Sequence, residues 1–183
     1  MNQNMQRPTQ MQLTPVGEVR SEIKAPLLLA GKAGLKLQER NQKIKEYHEK
    51  VKNTLCEIVI YPQWVELLDG IEGFSHLLVL YWPHLIDPAR RNLQKVHPMG
   101  RKDLPLQGIF ATCSPARPNP VLVSAAPLIE RAGNILKVKG LEAVDGSPVI
   151  DIKPYVASYY SAEDPSVPEW MRRIHRDLEI DFK

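Results

Sequence analysis

The sequence is poor in cysteine and contains no long hydrophobic run. Its two cysteines, Cys56 and Cys113, are too few for a disulfide framework, and neither lies in a CxxC motif. The longest uninterrupted apolar run, Leu77–Pro83, is far shorter than the roughly 20 residues that span a bilayer. The first twelve residues are rich in glutamine and lack the apolar stretch of a secretory signal. These absences favour a cytoplasmic protein that is not inserted in a membrane.

The composition is otherwise globular, except for an excess of proline. The 183 residues are enough for one domain with an appendage. The hydrophobic fraction of 43% and the charged fraction of 25% exclude a disordered or fibrous chain. The 16 prolines are nearly twice the usual share of about 5%. Most of them follow Trp82, which excludes long helices from the C-terminal half and favours short strands and ordered loops.

Hydrophobic periodicity predicts a mainly β fold with two helices. Apolar residues recur at helical spacing over Lys36–Lys52, where a narrow stripe predicts a helix on the domain surface or against a partner chain. Glu169–Asp177 is typical of a short basic C-terminal helix. The run Phe74–Trp82 predicts a strand buried on both faces. About seven or eight short strands, separated by turns, indicate a small β-barrel; they are Thr14–Ser21, Cys56–Ile60, Val65–Leu68, Phe74–Trp82, Gly108–Thr112, Val121–Ser124, Ile135–Leu141 and Val149–Ile152.

The expected domain organisation follows from these elements. Residues 1–13 form a disordered polar tail, and residues 14–164 form the barrel domain with a helical insertion at about 34–53. Residues 165–183 form a C-terminal extension. The connection after Trp82 is long and rich in proline, histidine and arginine, and such connections in compact domains are usually functional or disordered.

Three segments carry chemical signal, and each also has a structural interpretation. In GFSHLLVLYWPH, His76 and His84 either satisfy backbone groups or, for His84, face a ligand from the loop after the strand. In GIFATCSPARPNP, prolines hold the backbone around Arg117 and Asn119 extended, which suits recognition or a surface ion pair. In LEAVDGSPVIDIKPY, Asp145 begins a hairpin turn.

Together these segments resemble the TsaA/TrmO family of S-adenosylmethionine-dependent tRNA methyltransferases. The matching stretches are Gly70–His76, Gly108–Ser124 and Val144–Tyr155, in the family's order and at compatible distances. The strings RPNP and DGSPVIDIKPY are specific, and the resemblance covers roughly Pro15–Asp164. It implies a seven- or eight-stranded barrel, a homodimer with the cofactor near the subunit interface, and methylation of the exocyclic amine of threonylcarbamoyladenosine next to the anticodon of threonine tRNA.

The resemblance also implies site residues. The cofactor contacts match His84 and Leu85 after the apolar strand, positions near Val123, and the stretch before and within the turn. The full cofactor-binding set is His84, Leu85, Arg117, Asn119, Val123, Glu142, Ala143, Val144, Asp145 and Gly146. A weakly nucleophilic amine needs a base, and Asp145 and His84 are the catalytic candidates. Cys113 is expected to be a small buried core residue rather than a nucleophile.

The sequence departs from the family pattern at three places. Cys113 replaces an arginine, Leu122 replaces a glycine, and Ala25–Gly31 lacks the arginine and glutamine of the family's Pro-Arg-Gln-Pro element. Two alternatives therefore stay open: a barrel that methylates a small molecule, and a non-catalytic cofactor- or nucleotide-binding module. No metal is expected, because the five histidines are scattered without zinc-ligand spacing; they are His48, His76, His84, His97 and His175.

The charge distribution favours a nucleic-acid partner. The net charge is only +3, but residues 36–52 and residues 87–103 each carry +3 on their own. Concentrated basic segments fit a phosphate backbone, so tRNA is the expected partner.

Overall fold

The structure, a computed structural model, describes residues 11–26 and 37–180. Residues 1–10 of the predicted tail and most of the Ala25–Gly31 segment lie outside these ranges. Within them the chain forms eight strands and three α-helices. The strands are β1 (Gly17–Arg20), β2 (Leu55–Ile60), β3 (His76–Tyr81), β4 (Lys95–Val96), β5 (Gln107–Gly108), β6 (Leu122–Ala132), β7 (Ile135–Lys139) and β8 (Pro148–Pro154), and the helices are α1 (Leu37–Asn53), α2 (Ala157–Tyr160) and α3 (Glu169–Leu178).

Six strands close into an antiparallel barrel with the neighbour order β1-β2-β7-β6-β3-β8. The predicted mainly β barrel is thereby confirmed. The barrel has fewer strands than the predicted seven or eight, because β4 and β5 pair only with each other in a separate ribbon. Both of these strands are two residues long and lie within the connection after β3.

Alternating side chains fill the barrel interior. In β3, Leu77, Val79 and Tyr81 are buried, whereas Leu78 and Leu80 are only partly covered. The expectation that this strand is buried on both faces is therefore wrong, because a closed barrel gives each strand one interior face. The other strands and the loop before β8 supply the remaining fully buried apolar side chains of this core, among them Val19, Ile58, Leu136, Val138, Leu141 and Val149.

Helix α1 packs outside the barrel, in a second apolar cluster. Its buried Ile44 contacts a set made of Leu104 from the long connection and Ile174 and Leu178 from α3. The narrow stripe thus covers another helix of the same chain. Burying these few side chains stabilises the docking by about 1.5–3 kcal/mol each, before the entropy cost of ordering the two segments.

Two predicted strands are 3-10 helices. Val65–Leu68 belongs to the 3-10 helix Pro62–Leu68, where Pro62 occupies the first turn and presets its backbone. In the Gly108–Thr112 run, β5 ends at Gly108 and a 3-10 helix covers Ile109–Ala111. Both runs are too short for their apolar pattern to distinguish a strand from a helix turn.

Strand β6 is longer than the predicted Val121–Ser124 and continues through Pro127. This proline stands opposite His76, where pairing with β3 ends, and the next residue, Leu128, pairs with β7. A missing backbone N–H is tolerated at such a handover, so proline does not end the strand there. The long strand joins β3 to β7 and sets the position of the site described next.

Candidate functional site

One end of the barrel gathers segments that are far apart in the sequence. Register pairs Tyr81, the last residue of β3, with Leu122 at the start of β6 and with Val149 near the start of β8. The residues that follow β3 and those that precede β6 and β8 must therefore meet at this end. Three of the segments with predicted site residues enter it.

His84 lies against the turn that precedes β8. Its Nδ1 is 3.5 Å from the Ser147 hydroxyl, and its Nε2 is 3.7 Å from where a side chain on Gly146 would begin. The backbone fixes this approach, since the Trp82 N–H donates to the Pro148 carbonyl at 2.9 Å. Gly146 has a φ of +75°, which glycine adopts without strain. An exposed imidazole therefore faces a turn whose backbone a ligand can approach closely.

The Asp145 carboxylate is held by the N-terminal segment. It accepts a hydrogen bond from the Ser21 N–H at 2.9 Å and forms an ion pair with Lys24 Nζ at 2.8 Å. The Lys24 hydrogen bond, followed by the Ser21 N–H, lowers the pKa of Asp145 below its ordinary value. The carboxylate is thus ionised and already engaged with two donors, and it fastens the turn to the strand end of β1.

Glu142 lies three residues before Asp145 in the loop between β7 and β8. The Tyr81 hydroxyl donates to the Glu142 carbonyl at 2.9 Å and lies 3.2 Å from the Ser124 hydroxyl. Burial is the main cause that raises the pKa of Tyr81. Desolvation likewise raises the pKa of the Glu142 carboxyl, against the opposing influence of His48. This tyrosine therefore joins the start of β6, beside the exposed Val123, to the loop before β8.

The remaining predicted residues occupy different surroundings. Ala143 is fully buried in the barrel core, so only its backbone can reach a ligand, whereas Val144 is partly buried. The Val144 carbonyl accepts the Ser147 N–H at 3.0 Å, which closes the turn. Leu85, directly after His84, leaves 46% of its surface exposed. Backbone and apolar contacts are thus what these positions offer.

Arg117 points back onto its own loop. Its Nε donates to the Ser114 carbonyl at 2.8 Å, and its Nη2 donates to the Thr112 carbonyl. Asn119 is exposed, and the Val121 N–H donates to its carbonyl at 2.8 Å as the chain enters β6. The loop is therefore connected to the barrel end through the chain that enters β6. Two of the five guanidinium donors serve the loop rather than a ligand.

Cys113 lies between the two carbonyls that Arg117 holds. It is exposed, so the expectation that it is a buried core residue is wrong. The short apolar run GIFAT suggested a core strand, but the run turns into a 3-10 helix and brings the following thiol to the surface.

Four residues at this end of the barrel were not predicted as site residues: Ser147, Tyr81, Ser21 and Lys24. Ser147 follows Gly146 inside the DGSP string, so its place in that motif was an available signal. Tyr81 was indistinguishable from a core residue within its apolar run. Ser21 and Lys24 contact Asp145 across more than 120 positions of sequence, and only the closure of the barrel brings them there.

The part of the chain that the structure describes was also searched for membrane-spanning helices and for metal-binding clusters. No helix among residues 11–26 and 37–180 is long and apolar enough to cross a membrane. In the same ranges no group of three histidine, cysteine, aspartate or glutamate side chains is arranged to hold a metal ion.

A comparison with protein-family models places residues 38–161 in the tRNA-methyltransferase O N-terminal domain. A protein of Methanothermobacter thermautotrophicus, named a probable S-adenosyl-L-methionine-binding protein, is 52% identical over 99 residues, which cover 54% of this chain and 68% of that protein. The mouse tRNA (adenine(37)-N6)-methyltransferase is 32% identical over 123 residues, 62% of this chain and 26% of that protein.

Solved structures agree on the fold. The crystal structure of TrmO from Pseudomonas aeruginosa superposes with a TM-score of 0.62 at 21% identity, over 88% of this chain and 62% of that chain. A second TrmO crystal structure gives a TM-score of 0.62 at 25% identity, over 87% of this chain and 64% of that chain. The chain therefore spans less than two thirds of these structures and about a quarter of the mouse enzyme.

Proposed function

Because the chain belongs to the family of tRNA-methyltransferase O N-terminal domains, we propose that it binds S-adenosylmethionine at the His84 end of the barrel and methylates tRNA. The predictions of the family and of its cofactor are confirmed, since several relatives are named as binding proteins for this molecule. The observation that carries the proposal is the convergence of His84, the Gly146 turn and the Tyr81-bound loop at one barrel end.

The residues at this end suit the parts of that cofactor. A ligand can approach the turn closely because Gly146 carries no side chain. The N–H groups of Asp145, Gly146 and Ser147 already donate to carbonyls of the protein, so the turn offers the cofactor carbonyl oxygens rather than N–H donors. Leu85 and Val123, exposed by 46% and 57%, offer apolar contacts to its adenosine and methylene groups. With an arginine absent at Cys113 and Arg117 engaged with its own loop, the site relies on backbone contacts and on His84 for polar recognition.

We assign different roles to the two catalytic candidates. When bound, the cofactor supplies a methyl group activated on its sulfonium. The acceptor nitrogen forms the new N–C bond as the S–C bond breaks, and the nitrogen loses its proton. His84 is exposed and free to accept that proton through its imidazole. Asp145 stays ionised between Ser21 and Lys24 and acts as a positioning residue that fixes the turn.

The proposed acceptor is the exocyclic amine of threonylcarbamoyladenosine next to the anticodon. The mouse relative is named for methylation at N6 of an adenine at position 37 of tRNA, which supports an adenine amine as the acceptor. We also propose that two copies of the chain assemble around the site. A cytoplasmic location, where tRNA is used, is part of the same proposal.

Calorimetry with S-adenosylmethionine tests the cofactor site, and His76 supplies a matched control. His84→Ala should weaken binding about tenfold, since a hydrogen bond to a charged ligand is lost. His76 is exposed at the opposite end of β3, so His76→Ala should leave the affinity unchanged. Equal affinities for all three proteins would remove His84 from the site, and no binding by the wild type would overturn the cofactor proposal.

Mass spectrometry of nucleosides tests the acceptor separately. Wild-type protein and cofactor are incubated with tRNA that carries threonylcarbamoyladenosine, and with tRNA that lacks this modification. A mass increase of one methyl group on the modified nucleoside alone is expected. Cofactor binding without methylation of either RNA would favour the small-molecule methyltransferase or the non-catalytic module.

A further inference from the structure

An open groove of about 600 Å³ lies between the last turns of α1 and the strands β6 and β7. Glu142 lines it, and it is the one member of the predicted site that does so. The other lining residues are Tyr47, His48, Val51, Lys52, Asn53, Ser124, Ala125, Pro127, Lys139 and Gly140. The groove has the size of ordinary small-ligand sites, which span about 300–1,000 Å³.

The walls of the groove are basic. Lys52 is exposed at the end of α1, and Lys139 is half-buried at the end of β7. The acidic residues of α1 in the described stretch, Glu39, Glu46 and Glu49, do not line the groove, although they offset the lysines along the helix as a whole. The lining residues therefore place two lysines against a single carboxyl, that of Glu142.

One wall also carries an aromatic ring. Tyr47 is partly buried and lies near Glu142, and both residues line the groove. Pro127 and Ala125 add apolar surface from β6. A stacking ring with flanking cations is how proteins hold unpaired nucleotides, since every base has a flat face and every linkage a phosphate.

The groove is attached to the proposed cofactor site by a short, fixed loop. The Gly140 N–H donates to the Thr54 carbonyl at 3.0 Å, directly after α1, and the Tyr81 hydroxyl holds the Glu142 carbonyl. Four residues further on, Gly146 faces His84. Four residues span at most about 14 Å even when fully extended, so a nucleotide in the groove lies within reach of the turn.

We propose that this groove binds an unpaired nucleotide of the RNA substrate, with its base on the Tyr47 ring and its phosphates at Lys52 and Lys139. The identity of this RNA as a methyl acceptor rests on the proposed function, whereas RNA binding in the groove does not. Helix α1 thereby has a role beyond covering α3: its last two turns form one wall of a nucleic-acid site.

Fluorescence anisotropy with a labelled anticodon stem-loop tests the lysines. Lys52→Glu and Lys139→Glu should each weaken binding at least about fivefold. Each should also reduce the slope of log affinity against log salt by about 0.7, the value for one lost phosphate contact on a single strand. Lys43→Glu makes the same charge change on an exposed residue of α1 outside the groove, and it should change affinity much less. A thermal melt of each variant verifies that it is folded.

The ring is tested by two substitutions at one position. Tyr47→Ala should weaken binding of the stem-loop about tenfold, and Tyr47→Phe should restore most of the affinity because the stacking face remains. A fully paired duplex of the same length should bind more weakly than the stem-loop and should not respond to Tyr47→Ala.

The outcomes separate this inference from the proposed function. Three results would each contradict the proposal that RNA binds in this groove. They are unchanged RNA affinity in both lysine variants, an equal loss of affinity in Lys43→Glu, and no RNA binding by the wild type. RNA binding that depends on Lys52 and Tyr47, with no methyl transfer to any tRNA, would support the groove and contradict the proposed function instead.

Discussion

Asp145 links the candidate site to stability at the scale of single residues. Its lowered pKa means that the ionised form is favoured by folding, so its contribution is present above the ordinary carboxyl pKa of about 3.9 and is lost as the pH falls through the lowered value. Asp145→Ala should therefore reduce the free energy of unfolding at pH 7 by on the order of 1 kcal/mol, since solvent screens a side chain that is 39% exposed.

Urea unfolding at pH 7 and at roughly pH 2.5–3 measures this effect. The first pH lies well above the ordinary pKa of an aspartate carboxyl, about 3.9, and the second lies about one unit below it. The difference between wild type and Asp145→Ala should shrink at the acid pH. Lys24→Ala in the Asp145→Ala background should add little, because the partner is already gone. A loss that is the same at both pH values would show that the carboxylate charge is not what stabilises the turn.

Single residues also show how much of the candidate site could be predicted from the sequence. The family motifs predicted that His84 and the Asp145 turn belong to one site, and the structure brings the two together. The orientation of side chains could not be predicted from the sequence. Arg117 could donate equally well to a ligand or to carbonyls of its own loop, and only the folded loop shows that it donates to the carbonyls. The same limit hid Lys24, whose contact with Asp145 depends on barrel closure.

At the scale of elements, a buried arginine fastens α3 to the long connection. Arg101 is 1% exposed and pairs with Asp103 at 2.8 Å and with Asp177 of α3 at 2.6 Å, while Arg173 of α3 also reaches Asp103 at 2.8 Å. Removing Arg101 leaves the partly exposed Asp177 without this partner and Asp103 with Arg173 alone, so Arg101→Ala should cost about 2 kcal/mol of unfolding free energy.

Arg172→Ala provides the matched control on α3. Arg172 is 53% exposed and stands 4.0 Å from Glu169, a surface pair worth at most about 1 kcal/mol. Hydrogen exchange should show faster exchange in α1 and α3 for Arg101→Ala, because both helices share the cluster beside it. An unfolding free energy within about 0.5 kcal/mol of the wild type would mean that the network contributes no net stability.

Element prediction succeeded where the apolar pattern was long. The helix over α1 and most barrel strands were predicted from periodicity, because ten or more residues or a clear alternation fix the period. It failed for Pro62–Leu68 and Ile109–Ala111, short apolar runs that the chain folds as 3-10 turns. The predicted β6 was also too short, since proline ends a strand only where a neighbouring strand needs the N–H that proline lacks.

The charge pattern looks different at the scale of the whole molecule. Residues 87–103 carry +3, but Arg101 within them is buried and neutralised by Asp103 and Asp177. Arg91 packs over the Trp82 ring, with its guanidinium carbon 5.1 Å from the ring centroid. Part of this basic segment therefore serves the fold, and the groove beside α1 becomes the better candidate for RNA. A count of charges along the sequence does not separate these two uses.

The proposed dimer should depend on the exposed apolar side chains that follow β3. Phe110 is 81% exposed, and Leu85 and Leu106 in the same connection between β3 and β6 are exposed by 46% and 52%. Val123, at the start of β6, is exposed by 57%. Large apolar groups left in water favour association, and an interface core is depleted in charge.

Light scattering should therefore give twice 20.8 kDa for the wild type and 20.8 kDa for Phe110→Glu. Ile129→Glu changes a 54% exposed apolar residue of β6 and should leave the mass of the dimer intact. A monomeric wild type would contradict the dimer, and an unchanged mass for Phe110→Glu would move the interface away from this loop. Because Leu85 and Val123 also flank the proposed cofactor site, a monomeric Phe110→Glu should bind S-adenosylmethionine more weakly in calorimetry, although Phe110 itself is outside the predicted contacts.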